Sequence, residues 1–238
     1  LHGLQRLNAG ERAEPTTYYG RSSGVGLALQ QADSRVSIGI VGLGAGTLAC
    51  YRRAGQDWTF FEIDPVMMQI ARDPSRFHFL SDCAPDAPVV LGDARLMLEQ
   101  GPPATFDILV IDAFSSDAIP LHLLTRQAVD IYAGALKPDG LLILHISNRF
   151  FDLQPVLAAE AKARGWPAAL RYDDARDEQG HLTASTWVAM APTAETLAQL
   201  TGDEDSATPW TSLDERAGFR RWTDDYASTL PILIWQNI

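Results

Sequence analysis

Short apolar runs alternate with helical patterns along most of the chain, and this alternation constrains the fold more than any other feature. Strands separated by helices predict βαβ units around a mainly parallel sheet, whose strands are buried on both faces and form continuous apolar runs. The predicted fold class is α/β: a Rossmann-like sheet with helices on both faces and a small N-terminal segment. We predict seven strands, the seventh antiparallel, at residues 36–41, 58–63, 88–91, 106–111, 141–145, 168–172 and 186–190.

The chain divides into a central unit and two flanking segments. Residues 31–192 hold all of the predicted strands and form a Rossmann-like, nucleoside-binding catalytic domain. Residues 1–30 carry glycines and paired tyrosines, which indicates an N-terminal hairpin or lid. We expect residues 193–238, with their spaced tryptophans, to pack as a C-terminal helical cap. Helices are predicted at residues 47–54, 66–72, 94–100, 123–135 and 153–164.

Charge and cysteine usage limit the partners and the compartment. The 238 residues carry a net charge of −11, which repels phosphate backbones and excludes nucleic acid, and which suits cationic substrates as well as general solubility. Cys50 and Cys83 imply neither a metal site nor a disulfide, so a reducing, cytoplasmic location is expected. The chain begins at Leu1 rather than Met, so we expect a piece of a longer protein. Attachment to a membrane region outside this chain is left open, and so is a homodimer.

A glycine-rich turn follows the first strand and opens a helix, with glycine at Gly42, Gly44 and Gly46. Small residues let the backbone approach a ligand, and a helix N-terminus offers unpaired N–H groups to it. Glu62 ends the second strand, where a carboxylate accepts hydrogen bonds from the two ribose hydroxyls of a nucleoside. This order of features predicts a nucleoside site.

Acidic residues also end the third and fourth strands. Asp93, followed by Ala94, lies where an adenine-contacting carboxylate belongs in folds that bind S-adenosylmethionine (AdoMet), and Asp112 ends strand four. Ligands bind open α/β sheets outside the carboxyl ends of the strands, so these side chains should converge there. The alternative is that the acids only cap the helices that follow. We expect AdoMet or decarboxylated AdoMet as co-substrate, and no metal.

NAD is the rival ligand, because its folds also use a glycine turn and an acid after the second strand. Its fingerprint, G-x-G-x-x-G, needs a third glycine where this chain has Thr47. That difference and the expected antiparallel strand favour AdoMet.

Several motifs occur in a fixed order along the first 150 residues. Residues 61–65 read F-E-I-D-P, residues 92–93 read G-D, and residues 106–120 end in an aspartate-rich loop. Residues 1–5 read L-H-G-L-Q and residues 14–18 read E-P-T-T-Y. In this order they resemble the spermidine synthase family, the polyamine aminopropyltransferases, which carry an E-I-D, a G-D and a D-[ST]-[ST]-D-P loop after the corresponding strands.

The resemblance implies a role for each matched residue. Glu62 would hold the ribose and Asp93 the adenine amine. Asp112 would orient the attacking amine or accept its proton, while Asp117 would hold the cationic end of a polyamine. Tyr18 would line the acceptor pocket. A carboxylate beside a sulfonium centre suits this chemistry, because an ammonium must lose a proton before its nitrogen can attack.

The chain departs from the family where the family binds the amino group of its donor. Ala45 replaces an aspartate of the glycine loop, and Tyr19 and Gly20 replace the family's His-Glu or Gln-Glu. Arg21 follows, and a forked cation of this kind binds the carboxylate that AdoMet has and decarboxylated AdoMet lacks. If Arg21 is a ligand, this pattern predicts a preference for AdoMet; the alternative is that Arg21 is a solvent-exposed lid residue. The longer loop after strand four resembles that of spermidine synthase-like domains fused to bacterial membrane proteins.

Three further features lie near the predicted crevice. His145 ends the fifth strand and is either a base or a satisfied, partly buried side chain. His122 lies beside the acceptor loop, and residues 222–226 either close over the site or, as we expect, pack as part of the tail.

The sequence therefore predicts a transferase of polyamine biosynthesis that moves an aminopropyl or related alkyl group from an AdoMet-type sulfonium to an amine and releases methylthioadenosine. Two alternatives stay open. The same fold also serves methyltransferases and AdoMet-cleaving lyases or cyclising enzymes, and a non-catalytic adenosyl-ligand sensor attached to a membrane protein has the same sequence signature.

Overall fold

One seven-stranded sheet forms the centre of the molecule, in the strand order β3-β2-β1-β4-β5-β7-β6. A computed structural model describes residues 3–8, 10–113, 121–177, 179–202 and 209–234 of the chain. In this order, the first five strands, from β3 through β2, β1 and β4 to β5, are parallel to their neighbours. Strand β7 pairs antiparallel with both β5 and β6. The strands are β1 (Ser37–Val41), β2 (Asp57–Glu62), β3 (Val89–Leu91), β4 (Phe106–Ile111), β5 (Leu136–His145), β6 (Ala168–Asp173) and β7 (Ser185–Met190).

Helices cover both faces of this sheet, as the apolar strands predicted. The α-helices are α1 (Gly24–Gln31), α2 (Pro65–Arg72), α3 (Phe79–Cys83), α4 (Ala94–Gln100), α5 (Arg126–Ala135), α6 (Gln154–Arg164) and α7 (Ala194–Thr201). Alternate residues of β4 enter two separate cores: Ile108 packs with α1 and α7 residues, whereas Leu109 packs with α5 and α6 residues. The prediction of a Rossmann-like sheet covered on both faces is therefore confirmed.

Local sequence explains where the helices near the crevice begin. Asp64 accepts a hydrogen bond from the backbone N–H of Val66, and Pro65 occupies the first turn of α2, where it needs no N–H partner. Thr125 caps α5 in the same way through the N–H of Ala128. These two caps fix the directions in which α2 and α5 leave the crevice edge of the sheet.

Each flanking segment contains helical residues. Helix α1, capped by Ser23, begins in the N-terminal segment and ends at Gln31. In the C-terminal segment, the described residues after α7 contain only a short 3-10 turn at Leu230–Ile232, so the expected helical cap is mostly irregular chain. Pro231 lies at the start of this 3-10 turn, where it needs no N–H partner, and Gly218 adopts a φ of +72°, which favours a turn.

The expectation that the two cysteines remain unpaired is wrong, because Cys50 and Cys83 form a disulfide. Cys50 lies on the 3-10 turn after the glycine motif (Thr47–Tyr51) and Cys83 at the end of α3, elements that the fold places side by side. Their sequence separation of 33 residues concealed this contact. A disulfide is typical of an oxidising compartment, whereas the sequence led us to expect a reducing one. In the described part of the chain, no helix has the length and apolar character needed to cross a membrane.

Candidate active site

The glycine turn brings the ends of β1 and β4 into close contact. Gly42 has a φ of +96°, and a Cβ built on it would lie 2.1 Å from the backbone oxygen of Asp112. No residue with a side chain fits there. Gly44 and Gly46 also have positive φ angles, of 53° and 85°, so the chain turns back sharply before the 3-10 turn begins. The sequence prediction of a tight glycine turn at this point is thus matched by the backbone.

A cavity of about 440 Å³ opens at the carboxyl ends of β1 to β4, a size typical of sites for small ligands. Four carboxylates line it: Glu62, Asp64, Asp93 and Asp112. His122 is the one basic side chain among its described lining residues, which include no lysine or arginine. The cavity therefore has a strong negative charge and favours a cationic ligand.

Glu62 is oriented by the backbone on both sides of it. Its Oε2 accepts the N–H of Leu43 at 3.0 Å, and its Oε1 accepts the N–H of Asp64 at 2.8 Å. An ionised carboxylate has about four acceptor positions, so two remain for a ligand. This geometry suits a fixed acceptor for paired hydroxyl groups.

Asp93 serves as the N-cap of α4, as the alternative interpretation of the strand-end acids expected. Its Oδ1 accepts the N–H of Arg95 at 2.9 Å and that of Leu96 at 3.3 Å. Asp93 and the adjacent Ala94 also line the cavity. Capping and ligand contact are therefore compatible at this residue.

Asp112 is the most deeply held of the four carboxylates. Its side chain is 2% exposed, its Oδ2 accepts the hydroxyl of Tyr19 at 2.5 Å, and its Oδ1 lies 2.8 Å from Nδ1 of His145. Burial, followed by the charge of Asp112, raises the pKa of Tyr19 well above its ordinary value. The Tyr19 hydroxyl therefore remains protonated and donates to the carboxylate.

Tyr18 and His145 are stacked beside this carboxylate. The two rings lie 4.6 Å apart at 25°, and the indole of Trp187 stacks on His145 at 4.5 Å and 21°. Tyr18 and Tyr19 both line the cavity. Burial raises the pKa of Tyr18 as well, so its hydroxyl is also a neutral donor. The sequence indicated Tyr18 and His145, but nothing in it showed that Tyr19 and His145 would meet Asp112.

The remaining predicted site residues lie in different places. Gly42 and Gly44 line the cavity, whereas Gly46 packs behind it against Leu80. Arg21 is exposed and does not line the cavity, because its guanidinium pairs with Glu14 at 3.2 and 3.3 Å. Asp117 lies outside the described residues.

Ala45, the position of the family's aspartate, is buried and does not line the cavity. A Cβ built on Gly3 would lie 2.8 Å from the Cβ of Ala45, so the N-terminal segment covers this position closely. Among the described residues, no cluster of three potential metal ligands is present.

Comparison with known proteins places this geometry in context. No protein-family model matches the chain. A polyamine aminopropyltransferase of Vibrio vulnificus is 30% identical over 143 residues, which cover 56% of this chain and 45% of that protein. The motifs at the strand ends and this similarity agree. In sequence, the chain is similar to the polyamine aminopropyltransferases.

Two further comparisons set the limits of that likeness. The chain is 28% identical to an N-terminal histidine N-methyltransferase of Emericella nidulans over 125 residues, or 50% of this chain and 21% of that protein. It superposes on a probable spermidine synthase from Corynebacterium glutamicum with a TM-score of 0.57 at 20% identity, covering 83% of this chain and 75% of that one. The structural likeness shows the fold alone. The chain spans less than half the length of the curated aminopropyltransferase that it matches, 45%.

Proposed function

We propose that the chain transfers an aminopropyl group from decarboxylated AdoMet to an amine and releases methylthioadenosine. One observation carries this proposal: the cavity is lined by four carboxylates and by no described lysine or arginine. Both the sulfonium donor and a polyamine acceptor are cations, so one negative cavity suits both substrates.

Glu62 and Asp93 are the residues we propose for the nucleoside. Glu62 has two acceptor positions left after its backbone contacts, which suits the two ribose hydroxyls. Asp93, the N-cap of α4, lines the same cavity and would accept the adenine amine. Gly42 and Gly44, which carry no side chains, also line the cavity and leave room for the sugar.

Asp112 is the residue we propose for the proton transfer. When bound, an alkyl sulfonium supplies an electrophilic carbon and a neutral thioether leaving group. Asp112 takes the proton that the acceptor's ammonium must lose, and the freed nitrogen lone pair forms the new C–N bond as the C–S electron pair returns to sulfur. Asp117, by the family resemblance, would hold the far ammonium of the acceptor, and Tyr18 would line its path.

The choice of donor depends on Arg21. The sequence predicted that this side chain would bind the carboxylate of AdoMet, but it forms a forked pair with Glu14 outside the cavity. With no other described cation in the lining, the carboxylate of AdoMet would meet four like charges. We therefore propose decarboxylated AdoMet, which has no carboxylate, as the preferred donor.

Methyl transfer from AdoMet is the second candidate, and Ala45 favours it. The aspartate that holds the donor's amine in the resembled family is replaced by a buried alanine beneath Gly3. The curated histidine N-methyltransferase among the relatives shows that a chain of similar sequence is named for methyl transfer.

Product analysis separates these functions. The chain is incubated with AdoMet or decarboxylated AdoMet and a set of diamines and polyamines, and the nucleoside product is identified by mass. Methylthioadenosine formed from decarboxylated AdoMet supports aminopropyl transfer, whereas S-adenosylhomocysteine formed from AdoMet supports methyl transfer. Nucleoside binding without product under every acceptor would replace both with a ligand-binding, non-catalytic role.

A further inference from the structure

Two side chains to which the proposed transfer assigns no role, those of Tyr19 and His145, contact the Asp112 carboxylate. Tyr19 donates its hydroxyl proton to one oxygen, and Nδ1 of His145 lies 2.8 Å from the other. An ionised carboxylate only accepts, so Nδ1 must carry a proton and donate it. Each oxygen keeps one further acceptor position for a ligand in the cavity that Asp112 lines.

Ser147 fixes the other end of the imidazole. Its Oγ lies 2.7 Å from Nε2 of His145 and accepts the backbone N–H of Thr186 at 2.8 Å. A serine hydroxyl has one proton to donate and a second lone pair to accept with, so Ser147 can pair with Nε2 whether or not that nitrogen carries a proton. The contact with Asp112 requires only that Nδ1 carries a proton.

The plane of the imidazole is fixed by stacking. Tyr18 and Trp187 both stack on it, with ring centroids 4.6 and 4.5 Å away. Trp187 is fully buried in β7, so one of these contacts comes from a rigid element and the other from Tyr18 on the cavity wall. His145 therefore has contacts at both ring nitrogens and with two aromatic rings.

We propose that His145 is a positioning residue for the transfer reaction: it holds the Asp112 carboxylate in the orientation that accepts the acceptor's proton. The proposal rests on the proposed function, and it assigns His145 no contact with substrate. Loss of the Nδ1–H donor would leave the carboxylate free to rotate away from the acceptor nitrogen, and small misplacements of this kind lower rates by about tenfold to a hundredfold.

Two variants separate positioning from packing. Asn places an amide N–H near the position of Nδ1, whereas Leu fills more of the stacked space but donates nothing. We expect His145→Leu to lower kcat by about tenfold to a hundredfold with the KM of the amine unchanged, and His145→Asn to recover most of that loss. A role in packing alone predicts the reverse order, with Asn worse than Leu, and that order would overturn the proposal.

His181 offers a matched control, because its Nδ1 lies 3.0 Å from Asp177 on the link between β6 and β7, outside the cavity lining. His181→Leu removes the same kind of contact and should leave kcat within about twofold of wild type. A loss equal to that of His145→Leu would show that any histidine–carboxylate contact matters for stability alone.

A second readout does not depend on turnover. ¹⁵N NMR of the histidine rings should show His145 protonated at Nδ1 in the wild-type chain, and this signal should change in Asp112→Asn. A ring without a proton at Nδ1, or no response to Asp112→Asn, overturns the inference. If wild type forms no methylthioadenosine, the proposed function fails, and the NMR result alone decides whether His145 holds Asp112.

Discussion

Two carboxylates in this molecule are removed from water but held by different kinds of partner. Glu160 on α6 is completely buried, and Arg221 donates to its two oxygens at 2.8 and 2.7 Å. Asp112 is nearly as buried but is held by a phenol and an imidazole, and no described lysine or arginine forms an ion pair with it. The charge of Glu160 is compensated within the fold, whereas that of Asp112 is oriented but left available to a cation in the cavity.

The comparison shows that a buried carboxylate can serve either the stability of the fold or the binding of a ligand, depending on its partners. A buried ion pair joins two parts of the chain, here α6 and the C-terminal segment, and its charges compensate each other. A buried carboxylate with neutral donors attracts whatever cation can reach it. The same amide substitution at the two positions should therefore have opposite consequences.

The largest effect is expected for Asp112→Asn. Asparagine keeps the shape but cannot accept a proton, so turnover should fall by about 10²-fold to 10⁴-fold while methylthioadenosine still binds. The free energy of unfolding should fall by only about 1–2 kcal/mol, because one hydrogen bond to Tyr19 or His145 is impaired. Steady-state kinetics and urea denaturation measure both. Full turnover in this variant would show that Asp112, like Glu160, has only a structural role.

Glu160→Gln should show the reverse pattern. Removal of the buried charge leaves Arg221 without its partner, which should cost about 2–4 kcal/mol of unfolding free energy. Methylthioadenosine affinity, measured on folded protein, should stay unchanged because Glu160 is not in the cavity lining. The double variant Glu160→Gln, Arg221→Gln should lose less than the sum of the single losses. Additive losses would show that the two side chains do not stabilise each other.

A smaller, pH-dependent effect is expected at the exposed pair between Arg95 and Asp224. The Arg95 guanidinium, with help from Thr125, lowers the pKa of Asp224. A lowered pKa means that the pair stabilises the fold above the usual carboxyl range near pH 4, and that this contribution is lost as the pH falls through the lower, folded-state pKa. An exposed pair is worth about 0.2–1 kcal/mol. The urea midpoints of wild type and Asp224→Asn should differ slightly at pH 7 and converge in acid. A difference between the two midpoints that grew in acid would contradict the lowered pKa of Asp224.

The sequence predicted most of the fold and several residues that line the cavity, because both follow from local patterns. Glu62, Asp93 and Asp112 each directly follow or end an apolar strand, and parallel strands bring their carboxyl ends to one edge. The glycine turn was also predictable from the sequence, because the positive φ at Gly42 is a property of the local backbone that favours glycine. These features needed no knowledge of distant contacts.

Contacts between distant residues were not predictable in this way. Tyr19 lies 93 residues before Asp112, and Cys50 lies 33 residues before Cys83, so neither pairing has a sequence signature. Arg21 shows the opposite failure: its residue type suggested an anion site, but Glu14, seven residues earlier, occupies its guanidinium. Residue type indicates what a side chain can bind, and the fold decides which partner reaches it first.

The most direct test of the account is the affinity of the cavity for a nucleoside. Calorimetric titration of methylthioadenosine into wild type and Glu62→Ala should show binding weakened by about tenfold or more in the variant, a loss of about 1.5–3 kcal/mol for a charged acceptor of two hydroxyls. Glu195→Ala, at an exposed acid on α7, is the control and should bind as wild type does. Equal affinity for wild type and Glu62→Ala would contradict the placement of an adenosyl ligand in this cavity.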